Sequence, residues 1–126
     1  YPFTLIGVDA EEAQKCMDKN NQTTCFINGN TLLIDLGEER TITSFHYLPD
    51  QSEYNKGVIA AYEISVGTDS NAVNQLVAKD EFSNIKNNPI LQSVYFTPVN
   101  ARYVQLKATR MIHDGEPIGL AEIGIQ

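Results

Sequence analysis

Ala61-Tyr62-Glu63-Ile64-Ser65-Val66, followed by Gly67-Thr68-Asp69-Ser70, decides the fold class. Tyr62, Ile64 and Val66 alternate with Glu63 and Ser65. A period-two segment places the first three on one face and the polar pair on the other, and the Gly-Thr-Asp-Ser run closes it as a turn. The same alternation recurs outward in both directions. Downstream lie Ser93-Val94-Tyr95-Phe96, Tyr103-Val104-Gln105-Leu106-Lys107-Ala108 and Ala121-Glu122-Ile123-Gly124-Ile125. Upstream lie Thr41 to Tyr47 closed by Pro49, Thr31 to Leu36 closed by Gly37, and Phe3 to Val8. Seven or eight short strands with no long helical pattern between them predict an all-β, antiparallel sandwich or barrel. One helical signal stands apart. Asp9 followed by Glu12 predicts a turn or two of helix through Ala13 and Met17, with the Asp9 side chain accepting from an amide three residues on.

The chain has 126 residues with no linker, repeat or low-complexity tract, so residues 1–126 read as one domain. At that length a chain buries about two thirds of the surface its unfolded form exposes. Nine basic and sixteen acidic residues give a net charge of −7, which disfavours phosphate backbones and anionic headgroups as partners. No apolar stretch is long enough to span a bilayer, so membrane insertion is not expected. Gly-x-Ser-x-Gly, Gly-rich phosphate loops and His-Glu-x-x-His are all absent, and no catalytic residues are assigned. Asp50 to Gly57 and Asn84 to Pro89 are the most loop-like stretches, and loops on a rigid sandwich are where binding residues usually sit.

Lys15-Cys16-Met17-Asp18-Lys19-Asn20-Asn21-Gln22-Thr23-Thr24 crowds a carboxylate, amides and hydroxyls into a short stretch. Such a stretch is either a solvated turn or a wrap for a hard cation, since calcium takes about six to eight oxygen ligands. It is not an EF-hand, which wants Gly and Glu where Thr23 and Gly29 stand. Asn21-Gln22-Thr23 is formally a glycosylation sequon and is read as a chance match. His46 lies inside a strand and reads as a histidine on a sheet face.

Several motifs, in order, resemble the discoidin, or coagulation factor 5/8 type C, superfamily. They are Lys15-x-x-Asp18-x-Asn20-x-x-Thr23, Ile34-Asp35-Leu36-Gly37, Phe45-x-Tyr47-x-Pro49, Tyr62-Glu63-Ile64-Ser65-Val66, Ala101-Arg102-Tyr103-Val104-x-Leu106 and Ala121-Glu122-Ile123. More narrowly, the chain is similar to family 32 carbohydrate-binding modules attached to bacterial glycoside hydrolases such as fucosidases and chitobiases. The resemblance implies an eight-stranded antiparallel jelly-roll-like β-sandwich of the galactose-binding-domain type. It also implies a structural Ca2+ held by Lys15, Asp18, Asn20, Thr23, Ala121 and Glu122.

The chain departs from the family pattern at three positions. Cys25 stands where the family usually has Trp, and Cys16 where it has a small residue; the two are either a disulfide clamping the metal loop or a pair of buried thiols. Asp50 stands where the fucosidase-attached modules often carry Arg, exchanging a fork of donors for an acceptor-only carboxylate. That argues against galactose or fucose and points to another sugar, or to none. In the matching loops Asp50, Glu53, Tyr54, Asn55, Asn84, Asn87 and His113 are the sugar-binding candidates, with Tyr54 or Phe82 as the ring against the sugar.

The expected function is a non-catalytic module that targets a parent glycoside hydrolase to glycans, excised from the C-terminal part of a larger chain. The expected partners are a glycan, at a mono- or oligosaccharide end, and the parent's catalytic domain. The expected location is exported from a bacterium: periplasmic, on the cell surface or secreted. The rival readings are an accessory domain of the same fold that binds no glycan, and a protein- or lipid-adhesion domain like the animal discoidin relatives.

Overall fold

The computed structural model describes residues 1–18, 23–27, 29–52, 56–82, 85 and 90–126. Its elements, in chain order, are β1 (Thr4–Ile6), α1 (Ala10–Gln14), β2 (Cys25–Phe26), β3 (Thr31–Leu48), β4 (Ile59–Gly67), β5 (Gln75–Glu81), β6 (Gln92–Met111), β7 (Gly119–Leu120) and β8 (Glu122–Ile125). All ladders are antiparallel. Strands pair in the order β1-β3-β6-β4-β5, with β8 added to β3, and β2 pairs β7 separately. The architecture is the expected β-sandwich, and the alternative of a closed barrel is set aside.

Two segments of the sequence merge into β3. Gly37, at φ 84°, and a bond from its N–H to Asp35 Oδ1 (2.8 Å) turn the backbone between Asp35 and Arg40 without ending its pairing to β6. A second register shift, between Ile42 and Ser44, changes the parity of the strand. Before it Leu32, Ile34, Leu36 and Ile42 are buried; after it Phe45 and Tyr47 are buried, and His46 faces outward. On the other side of β3 the amides of Thr43 and Ser44 both donate to the Gln126 carbonyl (2.6 and 3.0 Å), and a one-residue bulge of this kind exchanges the faces because the side-chain period is two. The segments Ser93–Phe96 and Tyr103–Ala108 likewise join in β6. Arg102 fixes the first bend, its Nε and Nη2 lying 2.9 and 3.1 Å from the two oxygens of Asp35. That guanidinium holds the Asp35 carboxyl below the usual carboxylate range.

The core takes Val58, Ile59, Tyr62, Ile64 and Val66 from β4 and its approach, and Val104, Leu106 and Ala108 from β6. Burying one such side chain is worth roughly 1.5–3 kcal/mol. Tyr47 is fully buried; its hydroxyl accepts from Ile59 N (3.2 Å) and donates to the Gly119 carbonyl (3.5 Å), tying β3 to β4 and β7. Strand β5 has no counterpart in the sequence reading. It is an edge strand exposed along most of its length, so no buried stripe marks it. Helix α1 is a single turn. Asp9 contributes its carbonyl to Ala13 N (2.8 Å) rather than the expected side-chain cap, and Glu12 turns instead to Lys15 and to Phe26 N. Among the described residues no helix is long and apolar enough to cross a membrane.

Candidate functional site

The stretch 23–26 feeds two neighbouring loops. Thr23 Oγ1 lies 2.7 Å from Asp18 Oδ2 and 3.1 Å from the Lys15 carbonyl, so its one proton serves two acceptors. Glu122 is half-buried and sits close enough to Cys16 for its charge to act on that thiol. Ala121 is fully buried, its N–H donating to the Leu48 carbonyl at 2.9 Å. The structure thus brings Lys15, Asp18, Thr23, Ala121 and Glu122 to one edge of the sandwich; Asn20 lies outside the described residues. No group of three or more His, Cys, Asp or Glu able to hold a metal occurs among the described residues. The expected donor set has only two carboxylates, completed by carbonyl and hydroxyl oxygens, which is the composition of a hard-cation site and fits calcium.

Cys16 and Cys25 are free and fully buried at the root of this loop. The Cys16 thiol donates to the Ala13 carbonyl (3.2 Å). Its contact with the Cys25 thiol, reinforced by burial and by Glu122, pushes its titration far above the usual thiol range.

The second loop is organised by Asp50. Sequence places its carboxylate in a solvent-facing sugar site; the structure turns it inward, only 5% exposed. Its oxygens accept from Thr24 Oγ1 (2.8 Å), Ser52 N (3.2 Å), Ser52 Oγ and Lys56 N (2.9 Å). Burial alone would raise its pKa, but these donors prevail and hold it below the ordinary value. Asp50 therefore shapes the loop, because an exposed acceptor would have left Ser52 and Lys56 amides unserved. Phe82 is half-buried, its ring stacked on Tyr62 at 4.5 Å and leaning on Tyr47 at 5.5 Å. His113 is exposed. Glu53, Tyr54, Asn55, Asn84 and Asn87 lie outside the described residues.

What the Asp50 loop adjoins is a hollow of about 370 Å³ lined by Phe26, Lys56, Gly57, Glu116 and Pro117. Its walls are locked by two glycines. A Cβ on Gly57 would stand 2.3 Å from Gly119 N, and one on Gly119 would meet the Lys56 carbonyl at 2.7 Å and the Phe26 ring at 2.8 Å. Gly119 N donates to Gly57 O (3.0 Å), and Gly57 N to Glu116 Oε1 (3.3 Å). Phe26 is held through its N–H to Glu12 (2.8 Å), yet the residue stays 38% exposed. Glu116 and Pro117 also border a larger hollow of about 590 Å³ with Asn30, Arg110 and Asp114. Phe26 was missed in the sequence, although Cys25 inward, Phe26 outward and Ile27 inward is a readable alternation.

The F5/8 type C domain profile matches residues 8–123. The chain belongs to that family. This F5/8 type C domain shares its fold with solved carbohydrate-binding modules. CpGH89CBM32-5 from Clostridium perfringens, in complex with GalNAc-β-1,3-galactose, superposes with a TM-score of 0.78 at 20% identity over 98% of this chain and 93% of that one. The family 32 module of C. perfringens NanJ, in complex with galactose, gives 0.75 at 22% identity over 98% and 91%. A glycoside hydrolase 29 family member from an unknown rumen bacterium gives 0.74 at 31% identity over 96% of this domain, which spans 21% of that chain. No curated protein matches.

Proposed function

We propose that this F5/8 type C domain is a non-catalytic glycan-binding module whose site is the hollow of Phe26, Lys56, Glu116 and Pro117. The observation that carries the reading is an exposed ring, rigidly seated, beside hydrogen-bonding groups at the loop end of a fold shared with family 32 carbohydrate-binding modules. A flat aromatic face meets the C–H face of a pyranose, while Lys56 and Glu116 suit its hydroxyls. His113 stands in the adjoining turn as a further hydrogen-bonding group. In the same reading the parent is an exported bacterial glycoside hydrolase, supported by the 31% identity to one segment of a glycoside hydrolase.

Calcium belongs to this proposal. Lys15, Asn20 and Ala121 would offer carbonyls, and Asp18, Thr23 and Glu122 side-chain oxygens. A bound ion would tie the N-terminal loop to the C-terminal strand and stabilise the fold by its binding free energy.

A glycan array followed by titration calorimetry, run on the chain and on Phe26→Ala, tests the site. Binding at millimolar affinity or better, weakened at least tenfold by the substitution, is expected. Silence across host and microbial glycans at millimolar concentration overturns it.

A further inference from the structure

A second concave surface lies on the sandwich face, built from strands rather than loops. It encloses about 1030 Å³ between the N-terminal residues Tyr1 to Phe3, the first half of β6 and strand β8. Register explains its floor. Ser44 pairs with Tyr95, His46 with Ser93, and His46 also with Gly124, so these side chains share the outward face that the shift after Ile42 created. Gly124 has no side chain; a Cβ there would stand 3.4 Å from that of His46, so the floor stays open beside the ring.

The imidazole is fixed at both nitrogens, Nδ1 by Ser93 Oγ (2.8 Å) and Nε2 by Ser44 Oγ (3.0 Å). Over it stands Tyr95, edge to face with His46 at 6.1 Å and 74% exposed, the most exposed large apolar residue among those described. The opposite wall is Tyr1, whose hydroxyl donates to the Thr41 carbonyl (2.9 Å). Tyr95 stands on the half of β6 that pairs with β3, and with the exposed Leu91 and Tyr1 it makes a contiguous apolar patch, which usually has an occupant.

Charge restricts what that occupant is. A fifth of the chain is charged and its net charge is −7, yet Glu122 is the one Asp or Glu side chain lining this groove and no Lys or Arg side chain lines it. The Tyr1 ammonium is engaged by the Ile125 carbonyl (2.9 Å), the Gln126 carboxylate lies at the rim, and Arg40, over the Tyr1 ring at 5.0 Å, is paired with Glu38. The exposed Tyr95 ring beside the Ser93 hydroxyl, over a floor with no Lys or Arg side chain, matches a neutral polyhydroxylated ligand with apolar C–H faces. The volume accommodates more than one ring.

We infer that the Tyr95–His46–Ser93 groove is a second glycan-binding site, taking a neutral oligosaccharide along the strand face, with Tyr95 as its platform. The sugar class rests on the glycan-binding reading above; the residues are separate from those at the loop end.

The test is amide chemical-shift mapping with neutral hexasaccharides of glucose, mannose, galactose and N-acetylglucosamine. The expected result is perturbation of Ser93, Tyr95 and Gly124 by at least one hexasaccharide. Tyr95→Ala should abolish it, Tyr95→Phe should keep it, and it should persist in Phe26→Ala. Thermal melts of the variants confirm folding. Perturbation confined to Phe26, Lys56 and Gly57 overturns this inference while supporting the loop-end site. No response anywhere overturns both, and concentration-dependent self-association that covers Tyr95 overturns this one alone.

Discussion

Thr23 and Thr24 are adjacent, yet the loops they serve are built on opposite terms. Thr24 donates to Asp50, whose carboxylate is buried and collects further donors from Ser52 and the Lys56 amide. Thr23 donates to Asp18, which is exposed and gathered with the Lys15 carbonyl, with Glu122 near the same loop. One loop brings donors to a single carboxylate and closes from within. In the other, Thr23 Oγ1 lies within reach of both the Asp18 carboxylate and the Lys15 carbonyl, and Glu122 adds a second carboxylate beside the loop. A carboxylate ringed by N–H and O–H groups is a structural anchor; in the calcium reading proposed above, one set beside carbonyl and carboxylate oxygens is a cation ligand. The two aspartates are indistinguishable by residue type, and their neighbours decide the role.

The largest effect should come from Asp50→Ala. It strips the acceptor from several partly buried donors, each costing about 1–3 kcal/mol when unserved. We expect a loss of about 3 kcal/mol, a fall in thermal midpoint on the order of 10 °C, and no rescue by calcium. A midpoint within a degree of the parent would break the contrast.

Next in size is the metal effect. Calcium at a hundredfold excess over its dissociation constant should add about 2.7 kcal/mol, and chelator should remove it. Asp18→Asn and Glu122→Gln should erase the response, whereas Asp50→Asn should retain it. A chain indifferent to calcium, with no metal by elemental assay, would leave the Asp18 loop as a solvated turn.

Acid sharpens the same comparison more gently. The folded-state pKa of Asp50 is depressed, so its contribution is present above the ordinary carboxylate value near 4 and is lost as pH falls through the lower folded value. Denaturation followed in chelator, where the metal loop is silent, should show stability falling below about pH 4. That decline should be shallower in Asp50→Asn.

The sandwich was legible because its buried strands alternate: Tyr62, Ile64 and Val66 face one way, and the structure buries all three. Two features escaped for physical reasons. Strand β5 buries almost nothing, so no apolar period announces it. The bends of β3 and β6 interrupt the alternation without interrupting the hydrogen bonding, which makes one strand read as two. At the site, residue type could not say which way a side chain points. Asp50 and Phe82 read as solvent-facing because they stand in loops, yet one is clasped by amides and the other stacked on Tyr62. Phe26 escaped because it follows Cys25 in a strand of only two residues.

The smallest change in stability is expected at Phe26 itself. Phe26 is 38% exposed and touches the Gly57–Gly119 clasp from outside, so Phe26→Ala should cost about 1–2 kcal/mol, less than Asp50→Ala, while removing the platform. Gly119→Ala supplies the control, because its new Cβ would press on the Lys56 carbonyl as well as on the ring and so disturb fold and site together. If Phe26→Ala melts as low as Gly119→Ala, the ring is part of the clasp and the hollow is a packing seam. If it melts closer to the parent, the ring is held in place by a frame that does not need it. A side chain retained on such terms is positioned for contact with something outside the chain.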